Sequence, residues 1–169
     1  MKRSGPAPAL VWFRLDLRLG DHPALTAAAR TGRPVVPVFV WSPEEEGPWP
    51  AGAASRWWLH RSLAALDGSL RALGGRLVLR RGPAPQALAE LARETGAEAL
   101  YFHRRVEPAL IRQEEAVSEA CAAPGLEGHR FEGSLLSGPG EVRSKEGKPY
   151  QVFTPFWNAC LPRLKAVRP

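Results

Sequence analysis

The sequence predicts an α/β fold: a five-stranded parallel sheet in the Rossmann-like order 3-2-1-4-5, with helices on both faces. Short apolar runs, such as residues 10–13 and 99–103, are typical of strands that are buried on both faces of a parallel sheet. They alternate with longer segments whose apolar residues recur at helical spacing. With right-handed crossovers, strands 1 and 4 should lie side by side, and a ligand cleft should open at the carboxyl ends of these strands.

The segment after the first strand is unusually charged for a connection. Arg14, Asp16 and Arg18 alternate with apolar residues over residues 13–19, a pattern that favours extended chain. Asp16 is within reach of both arginines, so one interpretation is an ion-pair cluster that fixes the loop. The other is a binding site, because ligands of open α/β sheets bind beyond the strand ends. Since charge clusters are usually structural, the residues alone favour the first interpretation.

The start of the first helix carries a capping signal. Asp21 is a suitable N-cap for a helix over residues 24–30, and Pro23 fits its first turn because a proline there removes only an unpaired donor. His22 beside it is expected to satisfy backbone groups and not to act as a base.

The remaining elements are predicted from the apolar periodicity. Strands are expected over residues 35–41, 76–80, 99–103 and 126–131, and helices over residues 56–73, 85–95 and 109–122. Pro37 is expected at a bulge or where its missing amide would face away from the ladder. Beyond residue 133 the sequence becomes turn-rich, until Thr154 and Pro155 start a short last helix that Pro162 limits.

Two of these helices carry further expectations. Ser55 is expected to cap the helix over residues 56–73. Trp57 and Trp58 near its start could line a pocket, but core burial is favoured because large apolar side chains are usually buried. The helix over residues 109–122 is expected to carry its acidic residues on the solvent side, and these are Glu114, Glu115 and Glu119.

The composition indicates a globular chain. With 169 residues, 44% of them apolar, it can form one domain with a sizeable core. The formal net charge of +6 is scattered along the sequence, which is typical of solvated surface and does not establish nucleic-acid binding. Cys121 and Cys160 form no disulfide framework, and the Cys and His residues show no metal-ligand spacing. A cytoplasmic protein without a membrane span is expected.

The chemistry that the motifs support is binding and not catalysis. The sequence has no nucleophile–base arrangement, and it lacks both the G-x-G-x-x-G and the P-loop spacing, which counts against a dehydrogenase or an NTPase. The carboxyl ends of strands 1, 2 and 4 combine flat apolar faces with a few polar anchors, which suits a bound aromatic molecule. The side chains expected to line this cleft are Arg14, Trp41, Ser42, Phe102, His103 and Glu107.

Two blocks of the sequence resemble the DNA photolyase and cryptochrome family. Residues 11–25, with Val-Trp-Phe-Arg, Asp-Leu-Arg-Leu, Asp21 and Pro-Ala-Leu, look like the opening motif of the family, and residues 148–157 resemble the segment that closes its N-terminal domain. The resemblance implies a photolyase-type α/β domain over residues 8–135. Residues 136–169 would form a turn-rich extension that leads toward a C-terminal, FAD-binding helical domain.

The resemblance also implies a cofactor. In this family the cleft holds a light-harvesting antenna: a folate pterin, a deazaflavin or a second flavin. Glu107 stands where folate-binding members have a carboxylate that faces the pterin ring, although it could equally be a helix N-terminal carboxylate favoured by the dipole. Leu15 occupies a position where some members contact a deazaflavin through a basic or polar residue. A folate pterin is therefore the expected antenna.

The function implied is that of an antenna-binding domain. The family's photolyases use reduced FAD and blue light to repair cyclobutane pyrimidine dimers in damaged DNA, and both FAD and the lesion bind the C-terminal domain. This chain alone is therefore expected not to repair DNA. Two alternatives stay open: the corresponding domain of a cryptochrome photoreceptor, and a stand-alone nucleotide-binding module.

The C-terminal segment carries more apolar side chains than a frayed tail needs. These are Val152, Phe153, Phe156, Trp157, Leu161 and Leu164. Part of this face is expected to pack against the FAD-binding domain, and in the isolated chain to form an exposed patch or a dimer or crystal contact.

Overall fold

The computed structural model of the chain describes residues 5–122, 125–133, 135, 138 and 140–164. The chain divides into two compact units, Met1–Gly133 and Ser134–Pro169. Strands and helices alternate through the first unit in this order: β1 (Ala9–Phe13), α1 (Pro23–Arg30), β2 (Val35–Trp41), α2 (Ala53–Ala72), β3 (Val78–Arg81), α3 (Ala84–Thr95), β4 (Ala99–His103), α4 (Pro108–Ala122) and β5 (Glu127–Phe131). The second unit contains α5 (Phe153–Leu164).

The sheet has the predicted topology. Its five strands are parallel and lie in the order β3-β2-β1-β4-β5, so β1 is central. Within the described part of the chain no helix is long and apolar enough to cross a membrane.

The central strand β1 has a buried layer on each of its two faces. Its residues are all buried and their side chains alternate across the sheet. Leu10 and Trp12 join one apolar cluster with residues of α3 and α4, whereas Val11 and Phe13 join a second cluster with residues of α1 and α2. Helices therefore cover both faces, as predicted. Because β1 is packed on both sides, the residues that follow its carboxyl end start from a fixed position.

Pro37 lies inside β2 without interrupting the sheet. It pairs with Val11 of β1, and the ladder to β3 begins one residue later, where Val38 lies opposite Val78. The ladder with β3 therefore does not need the N–H group that proline lacks. This agrees with the expectation that the missing amide of Pro37 faces away from the ladder.

The caps of two helices differ from those predicted. The N-cap of α1 is His22, whose Nδ1 accepts a hydrogen bond from Leu25 N–H at 3.0 Å, and Asp21 adopts a left-handed conformation with φ of 49°. The prediction that His22 satisfies a backbone group is confirmed, and the prediction that Asp21 is the cap is wrong. Similarly, α2 begins after Gly52, so Ser55 lies within the helix.

The predicted core position of Trp57 and Trp58 is wrong. They are 59% and 69% exposed, because α2 turns only its C-terminal half onto the sheet, through Leu66 and Leu70. Helical periodicity identified the helix but did not reveal which part of it reaches the core.

In the second unit, α5 spans Phe153–Leu164, and Pro162, which was predicted to limit its length, lies within the helix. Phe153, Trp157 and Leu161 recur at every fourth residue and are all exposed, which agrees with the exposed apolar face expected in the isolated chain.

Candidate functional site at the carboxyl edge of the sheet

A buried ion pair lies where β1 ends. The guanidinium of Arg14 forms an ion pair with Glu114 of α4 and donates a hydrogen bond to Oε1 of Gln113 at 2.7 Å, while its Cζ lies 4.5 Å from the ring centre of Trp12. Burial lowers the pKa of the Arg14 guanidinium, and the adjacent carboxylate of Glu114 opposes that effect. Glu114 also accepts a hydrogen bond from the backbone N–H of Arg105 at 2.6 Å.

The burial of Glu114 corrects the predicted acidic solvent face of α4. Its side chain is buried beside Arg14, which follows the buried strand β1. A buried guanidinium is stable only when a carboxylate pairs with it, and Glu114 is that carboxylate. The neighbouring Glu115 is exposed, as predicted.

The same network continues to β2 and α3. Nε2 of Gln113 donates hydrogen bonds to Oγ of Ser42 at 3.0 Å and to Oε2 of Glu45 at 2.9 Å. Glu45 lies in a 3₁₀ turn, Pro43–Glu45, and its Oε2 also accepts a hydrogen bond from Ala84 N–H at 2.8 Å. One glutamine thus connects α4, the segment after β2 and the start of α3, so this edge of the sheet has a fixed shape.

A second buried cluster is centred on Asp16. Its Oδ1 accepts a hydrogen bond from the backbone N–H of Arg14 at 2.7 Å, and its Oδ2 bonds to Nδ1 of His103 and lies 3.0 Å from Nε2 of His22. Burial alone would raise the pKa of Asp16. The hydrogen bonds from His103 and the Arg14 backbone, together with the close contact of His22, outweigh it and hold the pKa well below its usual range.

The ion-pair cluster predicted for this loop exists with different partners. Only the backbone of Arg14 meets Asp16, because its guanidinium is held by Glu114. The guanidinium of Arg18 donates a hydrogen bond to the carbonyl oxygen of Asp21 at 2.9 Å and does not pair with Asp16.

The protonation of the Asp16 cluster follows from its contacts. Because Nδ1 of His22 accepts a hydrogen bond from Leu25, the ring proton of neutral His22 is on Nε2, which lies 3.0 Å from Oδ2 of Asp16 without forming a well-directed hydrogen bond to it. Nδ1 of His103 donates to the carboxylate, which leaves Nε2 of His103 buried without a hydrogen-bond partner among the described residues.

These three side chains are also the described residues whose ligand atoms lie close enough together, within 4.8 Å, to suggest a metal site. A ligating imidazole normally donates its other N–H to an acceptor. His22 does the reverse, since its Nδ1 accepts from Leu25, so its Nε2 could bind a metal only as an imidazolate. The geometry therefore favours a hydrogen-bonded carboxylate–histidine cluster.

The structure brings only some of the predicted cleft residues together. Arg14 and Ser42 are buried and are joined through Gln113, but His103 belongs to the separate Asp16 cluster. Phe102 is 1% exposed and its ring centre lies 5.5 Å from that of Trp12, so it is part of the core.

The other two predicted residues remain accessible. Trp41, the last residue of β2, is half-buried, and Glu107 immediately precedes α4 with its side chain 47% exposed. Burial tends to raise the pKa of Glu107, but hydrogen bonds from Arg105 outweigh it, so that the pKa is lowered. Its backbone oxygen accepts from Ile111 N–H at 2.9 Å, which fits the alternative interpretation of Glu107 as a helix N-terminal carboxylate.

A shallow groove of about 360 Å³ lies beside α1 and β5 and borders the Asp16 cluster, since His22 lines it. His22, Pro23, Thr26, Arg30 and Phe131 are among its lining residues, and none of the predicted cleft residues lines it.

The sequence matches the family model of DNA photolyase over residues 9–169, and the chain therefore belongs to the DNA photolyase family. It is 46% identical over 153 residues to the deoxyribodipyrimidine photo-lyase of Agrobacterium fabrum, a match that covers 90% of this chain and 31% of that protein. It is 42% identical over 154 residues to Cryptochrome-1 of Arabidopsis thaliana, covering 90% of this chain and 22% of that protein. The predicted family is confirmed.

Solved structures share the fold. A bacterial class III photolyase from Agrobacterium tumefaciens superposes with a TM-score of 0.86 at 43% identity, covering 95% of this chain and 33% of that one. An archaeal photolyase from Sulfolobus tokodaii, solved with two FAD molecules, superposes with a TM-score of 0.78 at 27% identity, covering 95% of this chain and 35% of that one. The chain thus spans about a third of the length of these structures.

Proposed function

We propose that this chain is the antenna-chromophore-binding domain of a deoxyribodipyrimidine photolyase, an enzyme that uses light to repair cyclobutane pyrimidine dimers. The observation that carries the proposal is the 46% identity to the Agrobacterium fabrum photo-lyase across 90% of this chain. The rigid polar network at the carboxyl edge supports it, because a fixed edge with accessible polar and aromatic groups is what a bound pigment requires.

The cryptochrome alternative has almost as much support from sequence identity. The identity to Cryptochrome-1 of Arabidopsis thaliana is 42%, only slightly lower, and the two kinds of protein differ in activity outside this domain. A stand-alone nucleotide-binding module is less favoured, because the family match extends through residues 148–157 to residue 169, beyond the sheet.

The proposed antenna is a folate pterin. Glu107 supports it as an exposed carboxylate that can accept hydrogen bonds from the amino and ring N–H groups of a pterin. A flavin is the main competitor, because the two FAD molecules of the Sulfolobus tokodaii photolyase imply a novel light-harvesting cofactor in that protein. A deazaflavin is disfavoured by Leu15, which offers no polar group.

The proposed partners are a C-terminal FAD-binding helical domain and, through it, damaged DNA. The exposed apolar face of α5 is available for such a contact. We place the protein in the reducing cytoplasm, since Cys121 and Cys160 are both buried free thiols.

Blue-light repair of thymine dimers tests the proposal. The protein produced from the complete gene should repair them, and the 169-residue chain alone should not. A complete protein that binds flavin but repairs no lesion would favour the cryptochrome alternative. Dimer splitting by the chain alone would contradict the proposal that this domain binds the antenna and that repair requires the C-terminal FAD-binding domain.

A further inference from the structure

The two imidazoles of the Asp16 cluster differ in the nitrogen that is left for a further proton. The side chains of His22 and His103 are 0% and 5% exposed, and their ring centres lie 4.4 Å apart. In neutral His22 the unprotonated nitrogen is Nδ1, which already accepts the hydrogen bond from Leu25 N–H. In neutral His103 it is Nε2, which has no hydrogen-bond partner among the described residues. A further proton therefore binds His103 without breaking a hydrogen bond, whereas on His22 it has to displace Leu25.

The charges of the cluster add to this difference. Protonated His103 forms an ion pair with the carboxylate of Asp16, to which its Nδ1 is already bonded. A second proton, on His22, places two cations 4.4 Å apart beside one carboxylate, and like charges at this distance repel. His22 is also the N-cap of α1, at the positive end of the helix dipole, where a cation is unfavourable. Protonation of His22 is therefore the second step and the costlier one.

The side chains that surround the two imidazoles do not change this order. Phe13 of β1 and Phe131 of β5 lie against the rings and carry no charge. The guanidinium of Arg14, which follows β1, is paired with Glu114 of α4, so the two charges cancel.

The charged and titratable groups of α1, β4 and β5 are also accounted for. Asp21 and Arg30 line the groove beside α1 and have opposite charges. Tyr101 of β4 and His129 of β5 stack on each other, with ring centres 4.4 Å apart. The carboxylate of Asp16 is therefore the charge that decides where protons bind.

Loss of the hydrogen bond from Leu25 releases the first turn of α1. Pro23 at the helix start has no N–H, and the first turn contains no acidic residue that could replace the imidazole as the capping acceptor. Residues 14–22 connect this turn to β1. When the turn is released, that segment loses its anchor at the α1 end.

We propose that the Asp16 cluster is a two-step proton switch at the start of α1. The first proton binds Nε2 of His103 and leaves the helix capped. The second binds Nδ1 of His22 and releases the first turn. The switch goes beyond the proposed antenna function and does not depend on it.

Nuclear magnetic resonance of the nitrogen-15-labelled 169-residue chain tests the switch in a titration from about pH 8 to about pH 4, with EDTA present to remove metal ions. The imidazole nitrogen signals should show His103 gaining its proton before His22. Hydrogen-exchange protection of the Leu25 amide, corrected for the intrinsic exchange rate, should stay constant through the first step. It should fall about fivefold or more in the second step, which is the scale for the loss of an N-cap.

Three variants separate the two steps. His22→Asn keeps a capping side chain that does not titrate, so the protection of Leu25 should no longer depend on pH. His103→Asn removes the first cation and leaves Asp16 to attract a proton to His22, so the loss of protection should move up by about one pH unit or more. His60→Asn is the control, because His60 is exposed on α2, and it should leave both steps unchanged.

Three results would overturn the switch. One is a proton on His22 before His103, and another is loss of Leu25 protection in acid by the His22→Asn variant. The third is a Leu25 amide that stays protected in both the wild type and His103→Asn until the whole chain unfolds. Loss of protection at the same pH in the wild type and His103→Asn would overturn the two-step order.

Discussion

Asp16 accepts hydrogen bonds in a place where water cannot replace them, so its carboxylate should contribute strongly to stability. Asp16→Asn removes the charge that holds His103 and His22, and we expect it to lower the free energy of unfolding by about 1.5–3 kcal/mol, the range for hydrogen bonds to a charged acceptor. Urea denaturation measures this loss. Asp21→Asn is the control, because Asp21 is exposed and its change should stay within about 0.5 kcal/mol. Equal losses in the two variants would contradict the assigned role of Asp16.

The depressed pKa of Asp16 also predicts how stability depends on pH. The pKa is lower in the folded state than its ordinary value of 3.8, so the unfolded chain binds a proton first as the pH falls. The contribution of Asp16 is therefore fully present above about pH 5 and is lost progressively below it. Urea unfolding of the wild type and of Asp16→Asn from neutral to acidic pH should show the two stabilities converging in acid. A constant difference at all pH values would refute the assignment.

The pair of Arg14 and Glu114 leads to a third expectation. Glu114→Gln leaves a buried guanidinium without its counter-charge and should cost about 3 kcal/mol of unfolding free energy. Glu115→Gln, at the next and exposed position of α4, should cost less than about 0.5 kcal/mol. Combining Glu114→Gln with Arg14→Met should cost less than the sum of the single changes, because the residues interact directly. Additive costs would show that the pair is not coupled.

The sequence identified Arg14, Asp16 and His103 near this site but not their partners, and it placed Glu114 on the solvent side of α4. Arg14 and Glu114 are separated by 100 positions, and nothing in the local pattern of either segment specifies the other. The buried cluster of His22 and His103 is equally non-local, because it depends on the register of β1 against β4.

At the scale of elements, α2 divides into a half that stabilises the fold and a half that does not. Leu66→Ala removes a buried side chain and should cost about 2–5 kcal/mol, whereas Trp58→Ala near the other end should cost less than about 0.5 kcal/mol. Thermal or urea unfolding of the two variants measures the contrast. A large destabilisation by Trp58→Ala would mean that the tryptophan is buried after all.

The strands could be predicted better than the helix faces for a physical reason. The prediction for β4 matched its observed bounds, Ala99–His103, because a strand buried on both faces is apolar throughout. Helical periodicity shows that a segment is a helix but not which part of the helix packs on the sheet. It therefore predicted that Trp57 and Trp58 are in the core, whereas the buried residues of α2 are Leu66 and Leu70.

At the scale of the molecule, the strand order followed from the alternation of elements. Parallel strands joined by right-handed crossovers allow few arrangements, and the predicted one placed β1 beside β4. The residues that line a ligand site were harder to predict, because successive side chains of a strand point to opposite faces of the sheet and contact different residues. Phe102 and His103 are neighbours in sequence, yet one packs against Trp12 and the other bonds to Asp16.

The exposed face of α5 leads to the last prediction, which concerns association. The rings of Phe153 and Trp157 stack with centres 6.1 Å apart and planes 10° apart, and Leu161 extends the same row. Such a row is more stable when another apolar surface covers it, so the isolated chain should self-associate as its concentration rises. Sedimentation velocity should detect a dimer in the wild type and mainly monomer when Phe153→Ser and Trp157→Ser are combined.

Leu73→Ser is the control for this experiment, since Leu73 is an apolar residue that is more exposed than those of the α5 row and belongs to the other compact unit. It should leave the dimer unchanged. If the control abolished association as effectively as the double variant, general surface hydrophobicity and not the row on α5 would be responsible. If the wild type stayed monomeric at every concentration, the apolar row alone would be too small to hold two copies together, and a larger complementary surface would be needed to cover it.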